Sequence, residues 1–128
     1  MTELTTIGRR SWAVPEGYIP GRSHADARDL VSHDALCFLN AGERDAHVRL
    51  TVFFTDRDPA GPYEVLVPAR RSKHVRVNEL REPEPIPTDT EYSTLVESDV
   101  PIVVQYTRLD SRQAENALLS TIAFAADA

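Results

Sequence analysis

Apolar and polar residues alternate along most of this chain, which is the pattern of β-strands with one buried face. The clearest alternation covers residues 47–55, with Val48, Leu50, Val52 and Phe54 on the predicted core side. The same alternation is clear in residues 63–67, 73–77 and 102–109. It recurs more weakly in residues 7–14, 34–40, 91–97 and 118–125. The sequence therefore predicts about eight short strands.

Turn-forming residues separate several of these strands. Residues 56–62 contain two prolines, a glycine and two aspartates, so the strands on either side are predicted to form a hairpin. A second turn is predicted at Ser98 and Asp99. Pro101 then fits the first position of the next strand, where its missing N–H does least harm.

Helical signals are scarce. One helical turn is predicted to start at Asn78, and a second at Asp110 or Ser111, whose side-chain oxygens can cap the following N–H groups. Without crossover helices, the strands predict an all-β fold, an antiparallel β-sandwich or jelly roll. Residues 1–128 are predicted to form one domain, with a flexible N-terminus at 1–6 and an extended proline-rich arm at 82–88.

Length and charge indicate a small acidic protein. The 128 residues contain 14 Lys and Arg against 20 Asp and Glu, a net charge of −6. Cys37 is the only cysteine, so an intramolecular disulfide is excluded and a buried thiol in a reducing compartment is expected. The first residues lack the features of a signal peptide, and a cytoplasmic location is predicted.

Catalytic and metal-binding motifs are weak. Ser32, His33 and Asp34 are adjacent, and Ser23, His24 and Asp26 lie close together, but neighbours on an extended chain project to opposite sides. Turn and capping roles are therefore favoured. The four histidines, at positions 24, 33, 47 and 74, lack the spacing of known metal motifs. We predict no enzyme activity, no metal and no cofactor, although His33, Asp34 and His74 could still converge in space.

Residues 70–76 carry the strongest local positive charge, with four cations in seven residues. One interpretation is anion recognition, because arginine matches carboxylate or phosphate groups bidentately. The other is a solvated strand face that pairs with Glu79, Glu82 and Glu84. The net charge of −6 argues against direct nucleic-acid binding.

Two further groups of residues suit ligand binding. Trp12 and Tyr18 offer flat apolar surfaces that stack on sugar rings or anchor an interface, although Trp12 could equally be core. Polar residues gather near the end of the late strand, where a rigid scaffold presents binding groups. The candidate ligand-binding residues are Trp12, Tyr18, Arg71, His74, Gln105 and Arg108.

Long ordered blocks of the sequence resemble the soluble sensory rhodopsin transducer family. They are residues 11–20 (SWAVPEGYIP), 55–63 (TDRDPAGPY), 67–76 (VPARRSKHVR), 84–87 (EPIP), 97–105 (ESDVPIVVQ) and 107–115 (TRLDSRQAE). The resemblance extends from about residue 7 to residue 125. It departs at residues 21–31, at 1–6 and in the last few residues.

This resemblance implies a small cytoplasmic β-sandwich that assembles as a homotetramer and binds the cytoplasmic side of a microbial rhodopsin. The family is not enzymatic. It is also regarded as a small-molecule-binding domain, with sugars as suggested ligands, and a DNA-binding role has been suggested for it.

Two functional hypotheses follow. The first is a non-enzymatic signalling adaptor that couples a membrane photoreceptor, or another membrane sensor, to a downstream response. The alternative is a sensor domain for a sugar or organic anion that is not coupled to a rhodopsin. In that case the six candidate ligand-binding residues should converge on one cavity.

Assembly is predicted from the edges of the sandwich as well as from the resemblance. Prolines lie in turns and in one arm rather than across the strands, so several strand edges are left without that protection. Residues 117–125 carry no charge, which suits a segment buried between subunits. We therefore expect a closed homo-oligomer with the C-terminal strand or Trp12 at the subunit contact.

Overall fold

Strands make up nearly all the regular structure of the computed structural model, which describes residues 6–24 and 27–126. The eight strands are β1 (Arg9–Tyr18), β2 (His33–Asn40), β3 (Ala46–Phe54), β4 (Ala60–Val67), β5 (Arg71–Arg76), β6 (Glu91–Asp110), β7 (Ala117–Ile122) and β8 (Phe124–Ala125). In the described part of the chain the helical structure is limited to two 3₁₀ turns, Arg28–Leu30 and Val77–Glu79. Every strand pair is antiparallel. The predicted all-β fold of about eight strands is confirmed.

Strand β6 is twenty residues long and belongs to both halves of the structure. Its first half, residues 91–98, lies between β1 and β3 in the order β4-β3-β6-β1-β8. Its second half, residues 103–110, lies between β2 and β7, with β5 on the far side of β2. One strand therefore joins two sheets.

A bend in β6 brings its two halves face to face. Tyr92 and Arg108 both donate hydrogen bonds to the carboxylate of Asp34, although sixteen positions separate them in the chain. A straight strand of that length would span about 53 Å. The strand must therefore turn back on itself around residues 98–101. We call the end of the sandwich at this bend the closed end, and the end that holds Asp34 the open end.

The core lies between the two sheets and contains apolar residues from both. Leu36 and Phe38 of β2 and Val104 of β6 belong to the same buried cluster as Val14 of β1 and Leu50 of β3. Alternate residues of β3 and β6 face this core, as the period-two pattern predicts. The hairpin predicted around residues 56–62 is also confirmed, since β3 pairs with β4.

The predicted strand boundary at Ser98 and Asp99 is wrong. The structure has one continuous strand there, and the position predicted for a turn is where the strand bends. Pro101 lies inside β6 rather than at the start of a strand. The regular pairing skips residues 99–101, so the missing N–H of the proline interrupts no regular strand pair.

Two smaller differences concern the C-terminal part. The predicted strand 118–125 is two strands, β7 and β8, separated by Ala123, which is buried and donates its N–H to the carbonyl of Val104. The helical turn predicted at Asp110 or Ser111 is absent; that segment forms bends instead. The turn predicted at Asn78 is present as Val77–Glu79.

The proline-rich segment is neither strand nor helix between residues 80 and 90. It is fixed to the sandwich, because Ile86 is buried in the core and the Tyr63 hydroxyl donates a hydrogen bond of 2.7 Å to the carbonyl of Glu84. Of the predicted flexible N-terminus, residues 1–5 lie outside the described residues. The described part of the chain contains no helix long and apolar enough to cross a membrane.

Candidate functional site

A buried carboxylate organises the open end of the sandwich. Asp34, the second residue of β2, points inward and is completely inaccessible to solvent. It accepts hydrogen bonds from the Tyr18 backbone N–H (2.9 Å), the Tyr92 hydroxyl (2.5 Å) and Arg108 Nε (3.2 Å). A buried charge is tolerated only when it is paired and hydrogen-bonded, and these three donors meet that condition.

Two buried tyrosines complete this polar cluster. Burial, and next the negative charge of Asp34, raise the pKa of Tyr92 and of Tyr106 far above the usual value for tyrosine, so both hydroxyls stay protonated. Tyr92 uses its proton in the bond to Asp34. Among the described residues, the Tyr106 hydroxyl is buried without a hydrogen-bond partner. One polar group of the cluster, the Tyr106 hydroxyl, is therefore left without a hydrogen bond to the described residues.

Tyr18 forms the outer surface of the cluster and is flanked by two guanidinium groups. The guanidinium carbons of Arg108 and Arg112 lie 5.9 and 5.8 Å from the centre of the Tyr18 ring. The Tyr18 hydroxyl donates to Asp89 at 3.2 Å, and Asp89 also accepts from the N–H of Gly21 at 2.9 Å. A flat ring beside two cations is suited to contact with a planar or sugar-like ligand.

A polar cavity of about 430 Å³ adjoins this surface. Arg112 belongs to both, because it lines the cavity and its guanidinium lies beside Tyr18. Its own position is set by Asp110, whose carboxylate accepts hydrogen bonds of 2.7 and 3.0 Å from the guanidinium. The remaining lining residues are Arg22, Gln113, Glu115 and Ala117. The volume is within the range of ligand sites.

The six predicted ligand-binding residues do not share one cavity. Tyr18 and Arg108 lie together at the open end. Trp12 is 6% exposed and belongs to the core, with its indole N–H donated to the carbonyls of Arg9 (3.0 Å) and Ile102 (3.1 Å). Of the two interpretations offered for Trp12, the core one describes its position.

The other three predicted residues lie on the sheet formed by β5, β2, β6 and β7. His74, Cys37 and Gln105 are direct cross-strand neighbours, and His74 Nδ1 lies 3.3 Å from Cys37 Sγ. Gln105 donates to Ser120 of β7 at 2.8 Å. Arg71 lies at the start of β5, opposite Asn40. A ligand-binding role for these residues stays a prediction.

Sequence reasoning missed the central residue of the open end. Sequence position groups Asp34 with Ser32 and His33, and a possible convergence in space groups it with His33 and His74. In the structure, Ser32, His33 and Asp34 each bind a different partner. Ser32 donates to the carbonyl of Arg22, and the His33 ring contacts the carbonyl of Val31 at 2.7 Å. One signal was present, since an aspartate inside an apolar strand requires a buried partner. Asp26 of the second triplet lies outside the described residues.

The basic segment 70–76 pairs with acidic residues other than those predicted. Arg70 pairs with Glu43 at 3.0 Å, and Arg76 with Asp29 at 3.5 Å. Glu79 instead pairs with Arg28 at 2.7 Å. The described residues contain no group of three or more His, Cys, Asp or Glu side chains able to hold a metal ion.

Cys37 is half-buried rather than fully buried. Burial raises the pKa of its thiol, which favours the neutral form. Its neighbour His74 is exposed. The pair shows no feature of an activated nucleophile.

Comparisons with known proteins show one family. A sequence model described as Anabaena sensory rhodopsin transducer matches residues 7–125. A solved structure of Anabaena sensory rhodopsin transducer is 49% identical, with a TM-score of 0.71, over 80% of this chain and 99% of that chain. The crystal structure of Thermotoga maritima 1070 is 37% identical, with a TM-score of 0.83, over 93% of this chain and 96% of that chain. No curated protein matches.

Proposed function

The chain belongs to the Anabaena sensory rhodopsin transducer family, and on that basis we propose that it is a non-enzymatic signalling adaptor of the cytoplasm. It couples a microbial rhodopsin, or another membrane sensor, to a downstream response. The observation that carries this proposal is the family match over residues 7–125, which includes both ends of the sandwich and the long bent strand.

The charge of the chain supports a membrane-protein partner. Cytoplasmic loops of membrane proteins are enriched in lysine and arginine, and a chain of net charge −6 is attracted to them. This attraction increases the rate of encounter and weakens as salt is added. It supports the proposal but does not select one receptor.

Signalling by this mechanism requires unequal binding to two receptor states. A bound protein shifts an equilibrium only by the difference between its affinities for the two states. The transducer therefore binds either the dark form or the illuminated form of the receptor more tightly, and releases or engages a downstream component when the state changes.

The experiment is a titration of the purified protein onto a cognate rhodopsin in nanodiscs, in the dark and under constant illumination. We expect a difference in affinity of at least about fivefold, the lower end of ordinary allosteric coupling. Equal affinities in the two states would overturn the signalling mechanism. Absence of binding in both states would overturn the choice of a rhodopsin as receptor.

We also propose a homotetramer. The whole of β7 is exposed and uncharged, and it pairs with β6 alone. Leu118 and Ile122 of this strand are 70% and 60% exposed, and Phe124 of β8 is 68% exposed. Such an apolar edge favours burial against another subunit. Trp12, the other candidate for the contact, offers almost no surface.

One observation favours small-molecule binding as a second role. Tyr18, Arg108 and Arg112 form an aromatic and cationic surface beside the cavity of about 430 Å³. A ligand that binds only the native state raises the melting temperature. Thermal-shift screening with sugars and organic anions should therefore find a ligand whose effect is lost in Tyr18→Leu and kept in Phe53→Leu, an exposed aromatic control. No stabilising compound, or equal loss in both variants, would contradict this role.

A further inference from the structure

A second and larger cavity lies at the closed end of the sandwich. Its volume is about 600 Å³, and it is walled by the N-terminal segment, the β2–β3 and β4–β5 turns, and the bend of β6. Three of its lining residues are arginines: Arg10, Arg44 and Arg70. Its apolar lining residues are Ile7, Ala41, Val100 and Pro101. It lies at the opposite end of β2 from Asp34, about 20 Å away along the strand.

The turns that carry Arg44 and Arg70 are held in place by one buried amide. Asn40, the last residue of β2, is inaccessible to solvent and donates to the carbonyls of Arg44 (2.8 Å) and Val67 (3.0 Å). Its side-chain oxygen accepts from the N–H of Gly42 at 3.0 Å, and the Gly42 carbonyl accepts from the N–H of Arg70 at 3.1 Å. The backbone beneath both arginines is therefore fixed before any ligand binds.

The charge of this cavity is opposite to that of the chain. Arg44 and Arg70 line it together with Arg10, and Glu43 is the one acidic residue among its described lining residues, in a protein of net charge −6. Glu43 pairs with Arg70 at 3.0 Å, but its side chain is 83% exposed. Exposed ion pairs contribute little stability, so a bound anion can displace Glu43 from Arg70. Like charges gathered in one concave site favour an anionic ligand.

We propose that the closed-end cavity binds a small organic anion with two acidic groups, phosphate or carboxylate, on a compact carbon body. Arg44 and Arg70 come from separate turns, and each can bind one acidic group with two parallel N–H donors. The apolar wall of Val100 and Pro101 packs against the carbon body. The volume is that of a typical small-molecule site.

The test is isothermal titration of the purified protein with citrate and with inorganic pyrophosphate, at an ionic strength kept constant with sodium chloride. Citrate probes charge together with a carbon body, and pyrophosphate probes charge alone. We expect saturable binding of both, with citrate the tighter. Arg44→Gln and Arg70→Gln each remove one arginine contact, and each should weaken the binding of citrate by about tenfold. Glu43→Gln removes the carboxylate that competes with citrate for Arg70, and it should strengthen the binding of citrate.

Two arginines elsewhere serve as controls. Arg57→Gln removes a cation paired with Asp56 in the β3–β4 turn, and Arg28→Gln removes one paired with Glu79. Both should leave citrate binding unchanged. Arg44→Gln keeps the backbone carbonyl that Asn40 binds, and circular dichroism verifies that each variant is folded. No saturable binding in the wild type, or equal weakening in Arg57→Gln, would overturn the proposal. Neither result bears on the rhodopsin titration.

Discussion

Asp34 shows how one buried residue determines the arrangement of an entire end of the molecule. Its carboxylate joins β1 through the backbone of Tyr18, the first half of β6 through Tyr92, and the second half through Arg108. The three partners are distant in sequence and meet only because β6 bends. The residue therefore stabilises the bent state and fixes the positions of Tyr18 and Arg108 at the same time.

We expect Asp34→Asn to lower the free energy of unfolding by about 3 kcal/mol, because it leaves Arg108 without its buried counter-charge. Tyr92→Phe removes one neutral donor to the same carboxylate and should cost about 1–2 kcal/mol. Urea unfolding measures both values. Asp58→Asn, at an exposed turn, is the control and should change stability little. An Asp34→Asn variant as stable as the wild type would contradict the structural role assigned to this carboxylate.

Gly8 is a second single residue on which the bend depends. Its φ is +107°, and a Cβ atom there would clash with the backbone carbonyl of Ile102. Both the backbone angle and the close approach of β6 exclude a side chain.

Gly8→Ala should therefore lower the free energy of unfolding by at least about 2 kcal/mol, through strain at an incompatible angle and a backbone clash. Gly42→Ala is the matched control, because its backbone angle is ordinary and the nearest atom to a new Cβ, Asn40 Oδ1, is 3.4 Å away. Chemical denaturation of the two variants compares them directly. Similar losses of unfolding free energy in both variants would show that the close approach to Ile102 does not determine the effect of Gly8→Ala.

At the scale of elements, the strands were predictable but the path of β6 was not. Alternation in residues 47–55 and 102–109 places the buried side chains correctly, because a strand pattern is local. In the sequence, Ser98 and Asp99 are equally compatible with the end of a strand and with a bend inside one. The difference depends on Trp12 of β1 and on Gly8 just before that strand, both of which approach Ile102. Such contacts are not visible in a local pattern.

The candidate site was predictable in part for the same reason. Tyr18 and Arg108 could be selected by residue type, and the structure brings them together. Their neighbours Tyr92 and Asp34 approach them only across the folded sandwich. By residue type Trp12 is a plausible ligand-stacking residue, but its indole N–H is hydrogen-bonded inside the core. The type of a residue indicates which contacts its side chain can make, and tertiary contacts decide whether that side chain is accessible to a ligand.

The bend of β6 also creates a pH-sensitive contact. Asp99 accepts hydrogen bonds from the His47 backbone N–H at 2.8 Å and from the His47 ring at 2.9 Å. The backbone hydrogen bond of His47, followed by its side-chain contacts, lowers the pKa of Asp99 below its ordinary value. A carboxyl group with a lowered pKa stabilises the fold above its unfolded-state pKa, and this stabilisation is lost as the pH falls through the folded-state pKa.

Asp99→Asn should accordingly reduce the acid sensitivity of folding. Between about pH 5 and pH 3 the stability of the wild type should fall more steeply than that of the variant, since only the wild type takes up a proton at this position. Urea midpoints measured across this range give the slope. Asp58→Asn, in an exposed turn, is the control. Parallel slopes for wild type and Asp99→Asn would show that the His47 contact does not contribute.

On the scale of the whole molecule, three surfaces have distinct characters. The open end presents Tyr18 between two arginines, and the closed end presents an arginine-lined cavity. The third surface is the sheet containing β7, where Leu39, Leu118 and Ile122 are all exposed. If β7 is covered by another subunit, both ends of the sandwich stay open to ligands or to a receptor. Assembly and binding can therefore use separate surfaces.

The proposed assembly makes a prediction for β7. Static light scattering of the wild type at micromolar concentration should give about four times the chain mass of 14.3 kDa. A double variant, Leu118→Glu with Ile122→Glu, places two charges on the exposed apolar strand and should lower this mass, because burying unpaired charges opposes association. Leu66→Glu is the matched control, since Leu66 is an equally apolar residue, 44% exposed, on β4. Its mass should equal that of the wild type. A wild type of 14.3 kDa would refute the tetramer, and a double variant that keeps the full mass would move the subunit contact away from β7.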